Sequence, residues 1–228
     1  MRQPCIVAGS RPWCASIAKT IQHKLGIECI YISQKEELNN RVVEQINPRY
    51  IFFPHWSWLI PPSLWQSYEC VIFHMTDLPY GRGGSPLQNL IVRGHSETKI
   101  SALRCEAELD AGPIYMKHPL SLLGSAEEIF IRACACIAEM IEEILLCSPE
   151  PIPQVGNPTY FHRRCSQDSD VSDAKNLAEL FDRIRMVDAD GYPPAFIDVK
   201  NFRLSFSRAS LRTNSVLADV TIKLKEDE

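Results

Sequence analysis

The chain has 228 residues, 45% of them hydrophobic, enough for one large core or a core with a modest appendage. Its 24 basic and 28 acidic residues leave a formal charge of −4, which excludes a global positive field and argues against nucleic acid or an anionic membrane as partner. Nine cysteines, odd in number and without a CxxC pair, argue against a disulfide framework or zinc; they read as reduced, buried residues of a cytoplasmic protein with no metal.

Residues Met1 to Pro4 run straight into a strand-like segment, without the apolar region of a signal peptide. Cys5 to Ala8 is a continuous apolar strand ending at Gly9-Ser10. A helix from about Trp13 to Leu25 follows, with Ile17, Ile21 and Leu25 every four residues and Gly26 as its stop. Glu28 to Ser33 is a second strand, Lys35 to Ile46 a polar helix, and Tyr50 to Phe53 a third strand closed by Pro54. The apolar run around Tyr50 to Leu59 is far shorter than the ~20 residues of a membrane span. Cys70 to Phe73 is a fourth strand, feeding the Gly- and Pro-rich stretch Leu78 to Pro86, which cannot be regular structure.

Ser85-Pro86 opens a helix to about Val92. Lys99 to Glu106 and Pro113 to Leu120 form two strands of an antiparallel hairpin, joined through Leu109-Asp110-Ala111-Gly112, a turn whose glycine permits positive φ. Ser125 and Glu128 form a capping box for a long amphipathic helix to Leu146. Residues 149–158 hold four prolines and read as a linker. Beyond it, a helix over 174–187 and strands at 196–199, 202–207 and 218–224 make a small C-terminal α+β subdomain. The predicted fold is α/β, with a Rossmann-like, mainly parallel sheet and flanking helices. Its predicted divisions are a core over 1–148, a linker over 149–158 and the subdomain over 159–228.

Chemistry concentrates in the middle of the chain: His74-Met75-Thr76-Asp77-Leu78-Pro79, then Gly81-Arg82-Gly83-Gly84-Ser85-Pro86, and Asp110-Ala111-Gly112-Pro113-Ile114, with Asp110 36 residues after the histidine. In these anchors, and in element order over residues 1 to about 147, the chain resembles the folate-dependent formyltransferases. The stretch from His74 to Gly94 (HMTDLPYGRGGSPLQNLIVRG), with Tyr160-Phe161-His162-Arg163-Arg164, Asp168-Ser169, Ile184-Arg185, Asp188 and Tyr192-Pro193-Pro194-Ala195, looks most like the amino-sugar branch, in particular the enzymes of the pseudaminic-acid pathway. The resemblance implies transfer of a formyl group from 10-formyltetrahydrofolate to the amine of a nucleotide-linked 4-amino-4,6-dideoxy sugar. No GxGxxG follows the first strand, so a dinucleotide site is not expected.

His74 stands where a buried strand ends, the place where open α/β sheets put their sites. With Asp110 orienting its ring it can act as base and oxyanion support. Taken alone, the two residues read as an ordinary strand-end histidine and a turn aspartate; the surrounding motif turns that reading. Ile72 occupies the position of a family asparagine that helps hold the oxyanion. Thr76, amides of the Gly-rich loop, Asn89 and a protonated His74 are candidate replacements, with His74 and a backbone amide preferred. The resemblance places the folate pocket at Trp58, Leu59, Ile60 and Leu78, with Asp110 also contributing. Against it, the tryptophans read equally well as core packing.

Thr76, Asp77, Arg82 and Gly83 are candidates for contact with the amine or sugar. Tyr160, Phe161, Arg163 and Arg164 offer aromatic and guanidinium groups suited to a nucleotide diphosphate, or a plain charged surface. Two further readings stay open. One is a formyltetrahydrofolate hydrolase; the other is a non-catalytic folate- or sugar-nucleotide-binding protein, motivated by Ile72. Formylation of transfer RNA is not expected, because the chain is short for it and lacks a basic C-terminal domain. The partners expected are the amino-sugar nucleotide and folate, with homodimerisation open.

Overall fold

The structure, a computed structural model, describes residues 3–225. Its elements run in chain order: β1 (Cys5–Ala8), α1 (Ala15–Leu25), β2 (Cys29–Ile32), α2 (Asn40–Ile46), β3 (Tyr50–Phe53), α3 (Pro62–Trp65), β4 (Glu69–His74), β5 (Arg82–Gly83), α4 (Pro86–Ile91), β6 (Glu97–Arg104), β7 (Ile114–Ser121) and α5 (Ala126–Cys147). The remainder are β8 (Tyr160–Phe161), α6 (Leu177–Arg185), β9 (Ala195–Val199), β10 (Phe202–Leu211) and β11 (Val216–Leu224). This is the expected α/β fold: a mixed, mainly parallel sheet with flanking helices, followed by a small C-terminal sheet.

The main sheet has the order β2-β1-β3-β4-β6-β7. Pairs β1–β2, β1–β3 and β3–β4 are parallel, and β6 joins β4 antiparallel. The chain leaves β1 for β2 on one side and returns to β3 on the other. In open α/β sheets such a reversal marks where ligands bind, outside the carboxyl ends of the strands. Strands β1 and β3 are buried at every position, as continuous apolar runs covered on both faces should be. Ile6, Ile51, Phe53, Val43 and Leu64 form one apolar cluster of this core.

Local chemistry sets the helix ends. Gly26 adopts a left-handed conformation and its N–H donates to the Gln22 carbonyl, closing α1. Helix α2 starts five residues later than its composition predicts, because the Asn39 side chain accepts from the Val42 N–H and caps it there. Asn176 does the same for α6 by accepting from Glu179 N–H, so this helix starts at Leu177 and not at residue 174. The short helix α3 was not among the predicted elements, since four residues carry no readable periodicity.

The chain divides into two compact units, each made of segments that alternate along the sequence. One comprises Met1–Gly83, Thr98–Leu120 and Ile131–Tyr160; the other comprises Gly84–Glu97, Ser121–Phe130 and Phe161–Glu228. The proline-rich stretch lies within the first unit and is tied into it. Ile152 and Ile114 exchange backbone hydrogen bonds of 2.8 and 2.9 Å. In the second unit, β11-β10-β9 form an antiparallel sheet. Arg185, nearly buried, donates to the Leu122 and Gly124 carbonyls, and Tyr192 stacks on Phe130 at 5.4 Å. No helix among the described residues is long and apolar enough to cross a membrane.

Candidate active site

His74 is the last residue of β4, so the sheet carries its ring to the carboxyl edge of the parallel strands. Its side chain is 8% exposed and that of Asp110 is 7% exposed. Asp110 stands in the loop between β6 and β7 with φ of +53°, a left-handed conformation that aspartate tolerates better than most residues. The fold brings the two together: His74 Nδ1 lies 3.5 Å from Asp110 Oδ2. On the other side of the ring, Nε2 lies 2.7 Å from the Gly81 carbonyl oxygen. A carbonyl can only accept, so Nε2 carries the hydrogen. Both ring nitrogens therefore face acceptors, an arrangement that a ring with a hydrogen on each nitrogen satisfies fully.

The Gly-rich loop is bound into the protein at almost every amide. Gly83 N–H donates to Asp110 Oδ2 at 2.9 Å, so one carboxylate oxygen serves both the loop and His74. Gly81 N–H donates to Thr159 Oγ1 at 2.7 Å, and Arg82 N–H to the Thr159 carbonyl at 2.9 Å. Thr76 is fully buried and donates to the Gly81 carbonyl at 3.4 Å, while its own carbonyl accepts from Ser101 Oγ at 2.7 Å. Gly112 closes the other loop: a Cβ there would stand 2.0 Å from the Arg104 carbonyl oxygen, so only glycine fits.

The charged candidates are held by partners the sequence did not advertise. Asp77 is paired with Lys99 at 2.9 Å and Lys117 at 2.5 Å. Burial raises the Asp77 carboxyl, but hydrogen bonds from Lys117 and Lys99 outweigh it and hold the group below the usual carboxylate range. Arg82 donates through Nε and Nη2 to Gln154 Oε1, at 3.2 and 2.9 Å, and through Nη1 to Glu108 at 3.0 Å. Its guanidinium is thus committed within the protein. Lys99, Lys117, Glu108, Thr159, Ser101 and Gln154 all escaped the sequence reading; Gln154 carried no signal at all, standing among prolines.

Other expected site residues divide. Leu78 is buried, Ile60 packs partly on the core, and Trp58 and Leu59 are exposed, Leu59 at 83%. The indole of Trp58 meets Trp56 edge-on at 4.8 Å. Ser10 donates to the His55 carbonyl at 2.7 Å and shares a hydrogen bond with Ser57, fastening the loop after β3 to the end of β1. Tyr160, in the first unit, reaches Glu108 at 3.4 Å. Phe161, Arg163 and Arg164 belong to the second unit and do not form one open patch there. Phe161 is buried under the Arg93 guanidinium, and Arg164 donates to the Asp168 carbonyl at 2.7 Å. Asn89, in the same unit, donates to the Gly84, Ser85 and His162 carbonyls.

Ile72 shares a face of β4 with His74 and packs against the core, so it offers no hydrogen-bond donor. No group of three or more metal-ligating side chains occurs among the described residues.

The fold that carries this histidine, carboxylate and Gly-rich turn has close counterparts among known proteins. The structure superposes on a methionyl-tRNA formyltransferase from Clostridium thermocellum with a TM-score of 0.96 and 44% identity, over 98% of this chain and 100% of that one. The chain belongs to the formyltransferase family. A family model described as the C-terminal domain of methionyl-tRNA formyltransferase matches residues 166–223. The methionyl-tRNA formyltransferase of Rickettsia massiliae is 26% identical over 75% of this chain; the chain spans 60% of that relative's length. HypX from Aquifex aeolicus, solved in complex with tetrahydrofolic acid, shares the fold at a TM-score of 0.75 and 17% identity, over 90% of this chain and 37% of that one.

These matches correct the expected branch and acceptor of this formyltransferase. A 4-N formyltransferase from Francisella tularensis is 14% identical with a TM-score of 0.66, over 99% of each chain, a likeness of fold alone. The nucleotide-linked amino sugar and the exclusion of nucleic acid are therefore set aside in favour of the methionyl-tRNA branch. Part of the physical reason lies in the tail residues that suggested the sugar enzymes. Arg185, Asp188 and Tyr192 hold the second unit together through the Leu122, Gly124 and Phe130 contacts and the bond from Glu127 N–H to the Asp188 carbonyl. Residues with such packing duties carry no information about an acceptor.

Proposed function

We propose that this chain transfers a formyl group from 10-formyltetrahydrofolate to the amino group of methionyl-tRNA. The near-full-length similarity to the Clostridium thermocellum formyltransferase carries this reading of the acceptor, and the His74–Asp110 pair supports the chemistry. The folate supplies an activated one-carbon unit when bound. Trp58 and Leu59 offer exposed apolar surface suited to a flat pterin, with the half-buried Ile60 and the buried Leu78 shaping the wall behind.

Formyl transfer to an amine forms one C–N bond and breaks another, and a proton must pass from the attacking amine to the departing nitrogen. His74 would relay it by giving its Nε2 proton to the departing nitrogen and then taking the amine's proton at the same atom, with Asp110 fixing the ring and balancing its charge. Because Nδ1 faces Asp110, Nε2, which meets the Gly81 carbonyl, is the nitrogen that could serve reacting atoms displacing that carbonyl. An oxygen taking the place of the Gly81 carbonyl would receive the same N–H, so His74 also supplies a donor to the growing oxyanion. That matters here because Ile72 provides none, and the amides of Gly81, Arg82, Gly83 and Gly84 and the Asn89 side chain are engaged elsewhere.

Purified full-length chain incubated with 10-formyltetrahydrofolate and methionyl-tRNA tests the reading. Formylmethionyl-tRNA, detected by mass spectrometry after deacylation, is the expected product. Absence of that product, or release of tetrahydrofolate at the same rate with and without methionyl-tRNA, would overturn it; the second result describes a hydrolase.

A further inference from the structure

We infer that Gln154 is a positioning residue that sets the Asp110 carboxylate against His74, an inference that rests on the function proposed above. The segment bearing it, four prolines in residues 149–158, reads in the sequence as a spacer. In the structure its backbone is fastened at both ends, by Ile152 to Ile114 and by Thr159 N–H to the Pro79 carbonyl at 3.2 Å. Between those anchors the Gln154 side chain uses both ends of its amide. Nε2 donates to the Asp110 carbonyl at 2.8 Å and to the Gly112 carbonyl at 2.9 Å; Oε1 accepts from Arg82 Nε and Nη2.

The consequence for Asp110 is geometric. Its left-handed backbone is costly for a residue with a side chain, and that conformation aims the carboxylate. Two donors from one amide grip the carbonyls on either side of Ala111, holding the turn in that state. Arg82, whose own backbone N–H is bound to Thr159, anchors the far end of the amide. Arg82 also neighbours Gly83, whose N–H donates to Asp110 Oδ2. The glutamine thus joins the two loops that meet at the carboxylate. Neither a spacer nor a packing residue needs four hydrogen bonds of this polarity. Gln154 touches no reacting atom; it acts through Asp110.

Substitution Gln154→Glu separates the two ends of the amide, since a carboxylate keeps the partnership with Arg82 but cannot donate to the carbonyls. Amide hydrogen exchange at Gly83, followed by NMR on the full chain, reads the carboxylate's placement without any reference to activity. We expect exchange at Gly83 to quicken at least about tenfold while Phe52 and Val71 in the sheet are unchanged. In the transfer assay, kcat should fall roughly ten- to a hundredfold with KM for the formyl donor within about threefold, as loss of orientation predicts. Introduced into His74→Asn, the same change should cost little more, because two residues acting through one pair are not additive. Retained protection at Gly83, or an undiminished loss of kcat in the His74→Asn background, overturns the inference. A wild-type protein that transfers no formyl group, yet loses Gly83 protection in Gln154→Glu, overturns the proposed reaction while supporting the placement of Asp110 by Gln154.

Discussion

His74 illustrates how much a single residue owes to its surroundings. Its place at a strand end and the motif around it were legible in the sequence; its two acceptors, one of them a backbone carbonyl seven residues away, were not. Replacing it with asparagine keeps size and one donor but removes the proton relay, so kcat in the transfer assay should fall ~10²–10⁴-fold. Asp110→Asn should lose less donor binding than turnover, since the ring loses its orienting charge while the pterin surface is untouched. His55 gives a second test at this scale. It is half-buried, and its desolvation, with a smaller contribution from Arg11, depresses its pKa to about 4. The folded protein then binds fewer protons there than the unfolded chain between about pH 4 and 6.5. Stability should decline as pH falls through that window, by up to about 3 kcal/mol from this group, and His55→Phe should flatten the decline in denaturant midpoints measured from pH 7 to 4.5.

Among elements, the strands were the most readable. Continuous β-branched and aromatic runs such as Tyr50–Phe53 have only one use in an α/β fold, a strand buried on both faces. Helix starts were less so, because side-chain caps override composition. Asn176→Ala removes the bond from Glu179 N–H and should cost about 1 kcal/mol in thermal or chemical unfolding, with the transfer reaction little changed. The loop between β6 and β7 is a stricter case. Gly112 was read as a turn residue, yet what demands it is the Arg104 carbonyl pressed where a Cβ would stand. Gly112→Ala should therefore destabilise by about 1–3 kcal/mol and, by moving Asp110, reduce kcat more than this loss of stability explains. Circular dichroism melts beside initial rates separate the two effects.

At the scale of the whole molecule, a ligand that binds only the folded state must raise its stability. At a concentration 100 times its Kd, a folate derivative should add about 2.7 kcal/mol, roughly 5–10 °C in melting temperature for a chain of this size. His74→Asn should keep most of that shift, whereas a charged replacement at Trp58 should lose it. A net charge of −4 led to the expectation that no nucleic acid takes part, and the family matches reversed it. Net charge sums over a surface, whereas an acceptor is recognised by a local one. Alternation of strands and helices, the Gly- and Pro-rich loop and the histidine and aspartate themselves could be read from the chain, because hydrophobic periodicity and backbone chemistry are local properties. Tertiary structure alone decided that Asp110 meets His74, that Arg82 is spent on Gln154 and Glu108, and that Gln154 in a proline-rich stretch bonds the Asp110 and Gly112 carbonyls. Each of these is a contact across tens of residues, set by which loops the sheet brings to one edge, and no local pattern encodes it.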